Sequence, residues 1–207
     1  MAGPLDAARA AFADRDPVLA AKACGFEYVG SSTRGEFGGR LLGKAISLRY
    51  PEFDAVWLES GTPVLQHLTA LAVYYLAVSD GSPPNGEWIS FAQLPEGGFY
   101  VTAWRGYTPD ALVRHFDDRI EALCAATAAL HGDPLGLPGD LAIGFEVLPR
   151  LPLGLVYWCA DEEFPARADV LFDETASHHL PTDCCAILSK QLVVALIAAD
   201  SGQQAPA

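Results

Sequence analysis

Two long stretches of this chain repeat apolar residues at three- and four-residue steps, and several short ones run apolar between turn residues, so the pattern predicts mixed helix and strand. From Asp6 to about Ala23 the alanine-rich run favours helix. Asp16-Pro17 restarts it, with Asp as N-cap and Pro as first helical residue, so two short helices are expected. FEYVG, Gly39 to Tyr50 and Asp54 to Glu59 read as strands separated by SSTRGEFGG and by Pro51-Glu52. Links this short forbid a crossover and predict an antiparallel meander.

Thr62-Pro63 opens a helix through Ser79, whose stripe of Leu65, Leu68, Leu71, Ala72, Tyr75 and Leu76 is expected to lie on the sheet. DGSPPNG stops it, and EWISFAQLP and GGFYVTAW read as extended segments around a loop at Pro95 to Gly98. Thr108-Pro109 caps a second long helix to about Leu130. AIGFEVLP and GLVYWCA predict a second strand pair, and the tail from Thr182 a last helix capped by Thr182 or Asp183. The expected class is α+β: an antiparallel meander with two long packed helices, a second strand pair and a C-terminal helix. One domain over 1–207 is expected, with 1–23 as a helical arm, 24–200 as core and 201–207 as a disordered tail.

Charge narrows the partners. The net charge is -13, and residues 1–50 carry seven bases and five acids, which leaves six bases and 21 acids for the remainder. That balance argues against nucleic acid and against an anionic membrane surface, and suits a metal ion, a small molecule or a basic protein partner. The five cysteines never fall in a CxxC spacing, so no iron-sulfur cluster is expected. MAGPLDAARAAFADRDP has acids and no continuous apolar run, which makes cytoplasm the expectation. The apolar stretch at 183–199 is interrupted by Ser189, Lys190 and Gln191, and reads as a buried helix or as the interface of a homodimer.

Candidate chemistry concentrates between Asp161 and Glu174, where six acids stand against one base, Arg167. Crowded carboxylates hold protons or bind cations. A bend at Phe164-Pro165 would gather Asp161, Glu163 and Asp173 around a divalent metal, whereas acids after a strand more often form a solvated rim. Glu162 or Glu163 as general base, with His178 or His179 as partner, is the enzymatic alternative. His178 and His179 with Cys184 or Cys185 supply ligand types for a transition metal, but adjacent helical residues point about 100° apart and cannot share one ion easily. His67, mid-helix, is a candidate axial ligand for a tetrapyrrole or a hydrogen-bonded core histidine. Trp88 and Trp104 stand beside sharp turns, as walls of a small-molecule pocket or as core edges. GxSxG, GxxxxGK and GxGxxG are absent, so the serine-hydrolase, P-loop and Rossmann signatures are missing.

The segments PPNGEWISFAQLPEGGFY, PGDLAIGFEVLPRLPLGLVYW and DEEFPARADVLFDETASHHLP resemble a prokaryotic family known as a domain of unknown function, from about Cys24 to Ile197. The strongest parts are Gly86 to Trp88, Leu148 to Arg150, Asp161 to Pro165 and Leu171 to Asp173. Some relatives carry a cysteine-rich iron-sulfur module in front of this domain, which implies a redox or corrinoid-linked setting. This chain has only Cys24 before Cys124, so no such cluster transfers to it. The resemblance supplies no catalytic residue. A cytoplasmic accessory protein that binds a small ligand, cofactor or metal is the function expected.

Overall fold

Phe12 is where the fold starts to make sense, because it is 1% exposed and its ring meets Phe37, Tyr50 and Phe53 edge-on at 5.2–5.9 Å. Edge-on aromatic contacts of this kind add to the area buried. The computed structural model describes residues 3–202. In it, α1 (Pro4–Phe12) and α2 (Pro17–Cys24) are the two short helices expected. Asp16 accepts from Leu19 N at 2.9 Å as N-cap, and Gly25 takes the left-handed conformation at the C-cap. These helices are part of the core rather than an arm. The expected disordered tail falls mostly on 203–207, outside the described residues.

The aromatic cluster seats α1 on an antiparallel meander of β1 (Glu27–Gly30), β2 (Gly35–Leu41), β3 (Lys44–Tyr50) and β4 (Asp54–Trp57), in that order. The meander holds, with one correction. GEFGG is not a link, and the run from Gly39 to Tyr50 is not one strand, because the chain reverses at Leu42-Gly43. Both turn residues have positive φ, 52° and 76°, as a two-residue hairpin turn demands. A leucine there gives no Asn-Gly or Asp-Gly signal to read.

Pro63 pairs with Val56, so α3 begins at Gln66 and runs to Val78. Its stripe is buried from Leu68 onward, while Leu65 remains partly exposed. A second sheet of five antiparallel strands runs β5-β9-β8-β7-β6, formed by β5 (Trp88–Ser90), β6 (Asp133–Pro134), β7 (Leu141–Leu148), β8 (Leu151–Trp158) and β9 (Arg167–Asp173). The expected strand pair is its centre. Two of its strands are not expected from the sequence: the two-residue β6, and β9 within the acid-rich segment, where Ala168, Val170 and Phe172 alternate inward.

GGFYVTAW is helix, not strand: α4 spans Gly97–Tyr107. Its β-prone side chains are overruled by tertiary packing, which buries Gly97 and Trp104 on one face. A Cβ at Gly97 would collide with the Phe91 carbonyl. The expected helix from Thr108 to Leu130 is broken into α5 (Pro109–Phe116) and α6 (Ile120–Ala129) by Asp117, at φ 45°. There the Asp117 carbonyl accepts from the buried Tyr157 hydroxyl at 2.7 Å.

The last helix, α7 (Thr182–Asp200), has Pro181 as its N-cap, while Thr182 Oγ1 donates to the Pro95 carbonyl and Asp183 Oδ1 accepts from Cys184 N. It is long and apolar enough to cross a membrane by length and composition, with mean hydropathy 1.6, but its apolar side chains are spent inside this fold. Leu42 N donates to Val147 O at 2.8 Å, which joins the meander to the second sheet.

If α1 is core and not arm, Phe12→Ala is expected to lower unfolding free energy by about 3–5 kcal/mol in urea titrations. A loss below about 1 kcal/mol would show that α1 merely rests on the sheet.

Candidate functional site

The Leu42-Gly43 turn and α7 face each other across a cleft of about 460 Å³. Its walls come from five parts of the chain, of which α3 gives Leu68. The start of β3 contributes Lys44 and Ala45, and β4 contributes Trp57, whose following turn is closed by Trp57 N to Thr62 O at 2.9 Å. Ala129 and His131 come from the end of α6, where His131 ends the helix at φ 55°. Gln191, Val194, Ala195 and Ala199 come from one face of α7.

Small side chains at Ala45, Ala129, Ala195 and Ala199 leave the space, and Leu68 with Leu130 makes it apolar. Its polar groups are few: Lys44, Glu59, Ser60, Thr62, His131 and Gln191. Lys44 Nζ sits 5.5 Å from the Trp57 ring centroid, within cation–π reach. Trp57 is 5% exposed, and its Nε1 is enclosed with no hydrogen-bond partner. An apolar hollow with a few polar groups on its rim suits an apolar or aromatic molecule with a polar end.

None of the candidate catalytic, ligand-binding or metal-binding residues read from the sequence lines this cleft. Asp161 and Glu163 lie in the loop before β9 and Asp173 at its end. Seven residues of strand put about 20 Å between those ends. The structure therefore does not gather them, and no group of three metal-binding side chains occurs among the described residues. Asp161 Oδ1 instead accepts from Glu163 N and Phe164 N, at 2.8 and 2.7 Å. The same strand separates Glu162 and Glu163 from His178 and His179, so that base and partner do not meet.

Asp173 is fully buried. Its carboxylate accepts from Gly86 N at 2.8 Å, Asn85 N at 3.3 Å, and Thr175 N and Oγ1 at 3.0 and 2.6 Å. Burial alone would raise its pKa, but these bonds outweigh burial and hold it below the usual carboxylate range. Asp173 thus pins the loop before β5, and explains why Gly86 to Trp88 and Leu171 to Asp173 stand out together: Trp88 pairs with Asp173 and Ile89 with Phe172. Trp88 itself lies half-buried over Gly154 on the edge strand.

Trp104 is a core residue, stacked on Phe91 at 4.6 Å and donating from Nε1 to Ser189 Oγ at 2.9 Å. His67 is half-buried, with its Nε2 enclosed and unpartnered, and faces no part of the cleft lining. His178 bonds Asp80 at 2.8 Å on the surface. There the Ser82 backbone N–H, then His178, holds Asp80 well below the usual range. Cys24, Cys184 and Cys185 are buried in the core, and burial pushes Cys24 and Cys184 up to about 12, which keeps both protonated at neutral pH.

His179 belongs to a buried polar network. Its Nδ1 bonds Ser79 Oγ at 2.7 Å, while Nε2 has no partner. Nearby, the Tyr75 hydroxyl donates to Cys24 O at 2.8 Å and accepts from Arg150 N at 3.0 Å. The turn at Leu148 to Arg150 is thereby docked on α3, which accounts for its prominence in the sequence.

The profile of a family described as Domain of unknown function (DUF3786) matches residues 16–195. The chain belongs to the DUF3786 family. Neither the curated proteins nor the solved structures include a match to it. The DUF3786 match covers both sheets, the cleft from Leu42 to Ala195, and the Asp173 and His179 networks.

Burial depresses the pKa of His179, as do His178 and Arg150, while Asp80 acts in the opposite sense. The unfolded chain, with its histidine near 6.5, takes up the proton first. The stability contributed by neutral His179 is therefore present above about pH 6.5 and lost as the pH falls below it. Urea titrations from about pH 7 to 5 are expected to show a flatter profile for His179→Gln than for wild type. Parallel profiles would contradict the assignment.

Proposed function

We propose that this DUF3786 member is a small-ligand-binding domain that seats an apolar or aromatic molecule with a polar end between the meander and the α6–α7 wall. One observation carries the reading: a hollow of about 460 Å³, floored by small and apolar side chains, opens beside Trp57 and Lys44. Ligand sites commonly span roughly 300–1,000 Å³ and place few polar groups around an apolar floor. A ligand that lies beside Trp57 and turns its anionic end toward Lys44 would use both.

The resemblance to relatives with cysteine-rich modules supports an accessory role in redox or corrinoid-linked metabolism in prokaryotes, and it is the sole support for that setting. Five free cysteines accord with a reducing cytoplasm. The 21 acids of residues 51–207 suit a basic protein partner outside the cleft. For the homodimer alternative, α7 offers little free surface: of its large apolar side chains, Ile187 is the one exposed.

The anionic aromatic dye 1-anilinonaphthalene-8-sulfonate serves as a probe. Native protein is expected to bind it with a fluorescence rise, and Val194→Trp or Ala199→Phe, which fill the cleft, to weaken binding at least about tenfold, about 1.4 kcal/mol. Lys44→Gln is expected to weaken it about three- to tenfold. Unchanged binding in both filled variants, with native melting retained, would place the dye elsewhere and overturn the reading.

A further inference from the structure

A second concavity, of about 560 Å³, opens beside α4, α5 and the start of β9, and three arginines line it: Arg105, Arg114 and Arg167. Residues 51–207 contain only six Lys and Arg, so half of that region's basic side chains converge on this groove. Guanidinium groups repel one another, and gathering them in an acidic chain needs a compensating charge.

Each arginine is held in place differently. Arg105 donates from Nη1 to Asp169 at 2.7 Å and from Nη2 to Asp110 at 3.4 Å, and so occupies both carboxylates beside the groove. Arg114 donates to two backbone carbonyls, Gly106 at 2.6 Å and Asp110 at 3.2 Å, which fix its plane without cancelling its charge. Arg167 lies over Trp158, its partner across the β8–β9 ladder, 4.1 Å from the ring centroid. Among the described residues neither Arg114 nor Arg167 has a carboxylate partner.

We propose that this groove binds a phosphate group carried by a small molecule. Two preoriented guanidiniums without a carboxylate partner suit a dianion, and a phosphate offers enough oxygens to engage both forks, where a single carboxylate satisfies one. The net charge of -13 works against any anion at long range. At physiological salt, however, exposed charges are screened beyond about 8 Å, so the groove's own arginines dominate. The loop at Asp161 to Glu163 is close in sequence, but among the described residues none of its carboxylates lines the groove or pairs with its arginines. The site is separate from the cleft at Trp57, with which it shares no lining residue.

The probe is inorganic pyrophosphate added to the full chain at constant ionic strength, with sodium acetate as the control anion. Pyrophosphate is expected to raise the melting temperature saturably by about 2–8 °C, and acetate to leave it unchanged. Arg114→Gln and Arg167→Gln, both at exposed positions, are expected to weaken the apparent affinity at least about tenfold while melting near wild type without the anion. Val194→Trp should keep the full effect, which separates this site from the cleft. No rise with pyrophosphate, an equal rise with acetate, or undiminished affinity in both arginine variants would overturn the proposal.

Discussion

The apolar length of α7 must be buried, and most of the architecture follows from where that happens. Ten of its residues, from Cys184 to Ala198, are enclosed, with Leu188, Leu192 and Leu196 on the inward face. Each leucine so buried is favourable by about 1.5–3 kcal/mol relative to exposure, more than any surface ion pair supplies. Helices α4, α5 and α6 pack around it, and His115 and Arg119 close on Asp200 at its end, at 2.7 and 3.0 Å. The cleft is the remainder of that packing. Where α7 turns small residues toward the β2–β3 turn, no described residue fills the gap. One helix thus serves as both core and wall.

The loops are held by polar groups. Asp173 gathers the N–H groups of the loop before β5, while Tyr75 ties α2 to the turn between β7 and β8. Both depend on bonds that water would compete for if exposed, and both are buried. Loss of a buried acceptor strands its donors, which is why such carboxylates are costly to replace whether or not they do chemistry. This also explains how an acid in a conspicuous cluster turns out to be a structural anchor.

Much of the fold was legible because local rules agreed with the final structure. The Asp16-Pro17 restart, the antiparallel order of the meander, the stripe of α3 and the β7–β8 hairpin each carry a period, cap or turn signal that agrees with the fold. The failures fall where tertiary contacts decided. Leu42 takes a left-handed turn position that a leucine rarely adopts, GGFYVTAW is bent into helix around a tight contact with Phe91, and Asp117 breaks a helix to accept from Tyr157. The acid count hid β9, because Arg167, Asp169 and the buried Asp173 carry its charge while Ala168, Val170 and Phe172 carry the strand. The cleft had no sequence signal at all, since its lining comes from five separate segments and owes its shape to alanines. Each of those alanines reads as ordinary helix or strand filler.

Crystals of the protein soaked with small aromatic carboxylates would test the account most directly, because they show where a ligand settles without presuming its identity. Electron density for a ring is expected beside Trp57, between the β2–β3 turn and Val194, with its carboxylate toward Lys44. Fragments that collect elsewhere, with only water between Trp57 and Val194, would contradict it.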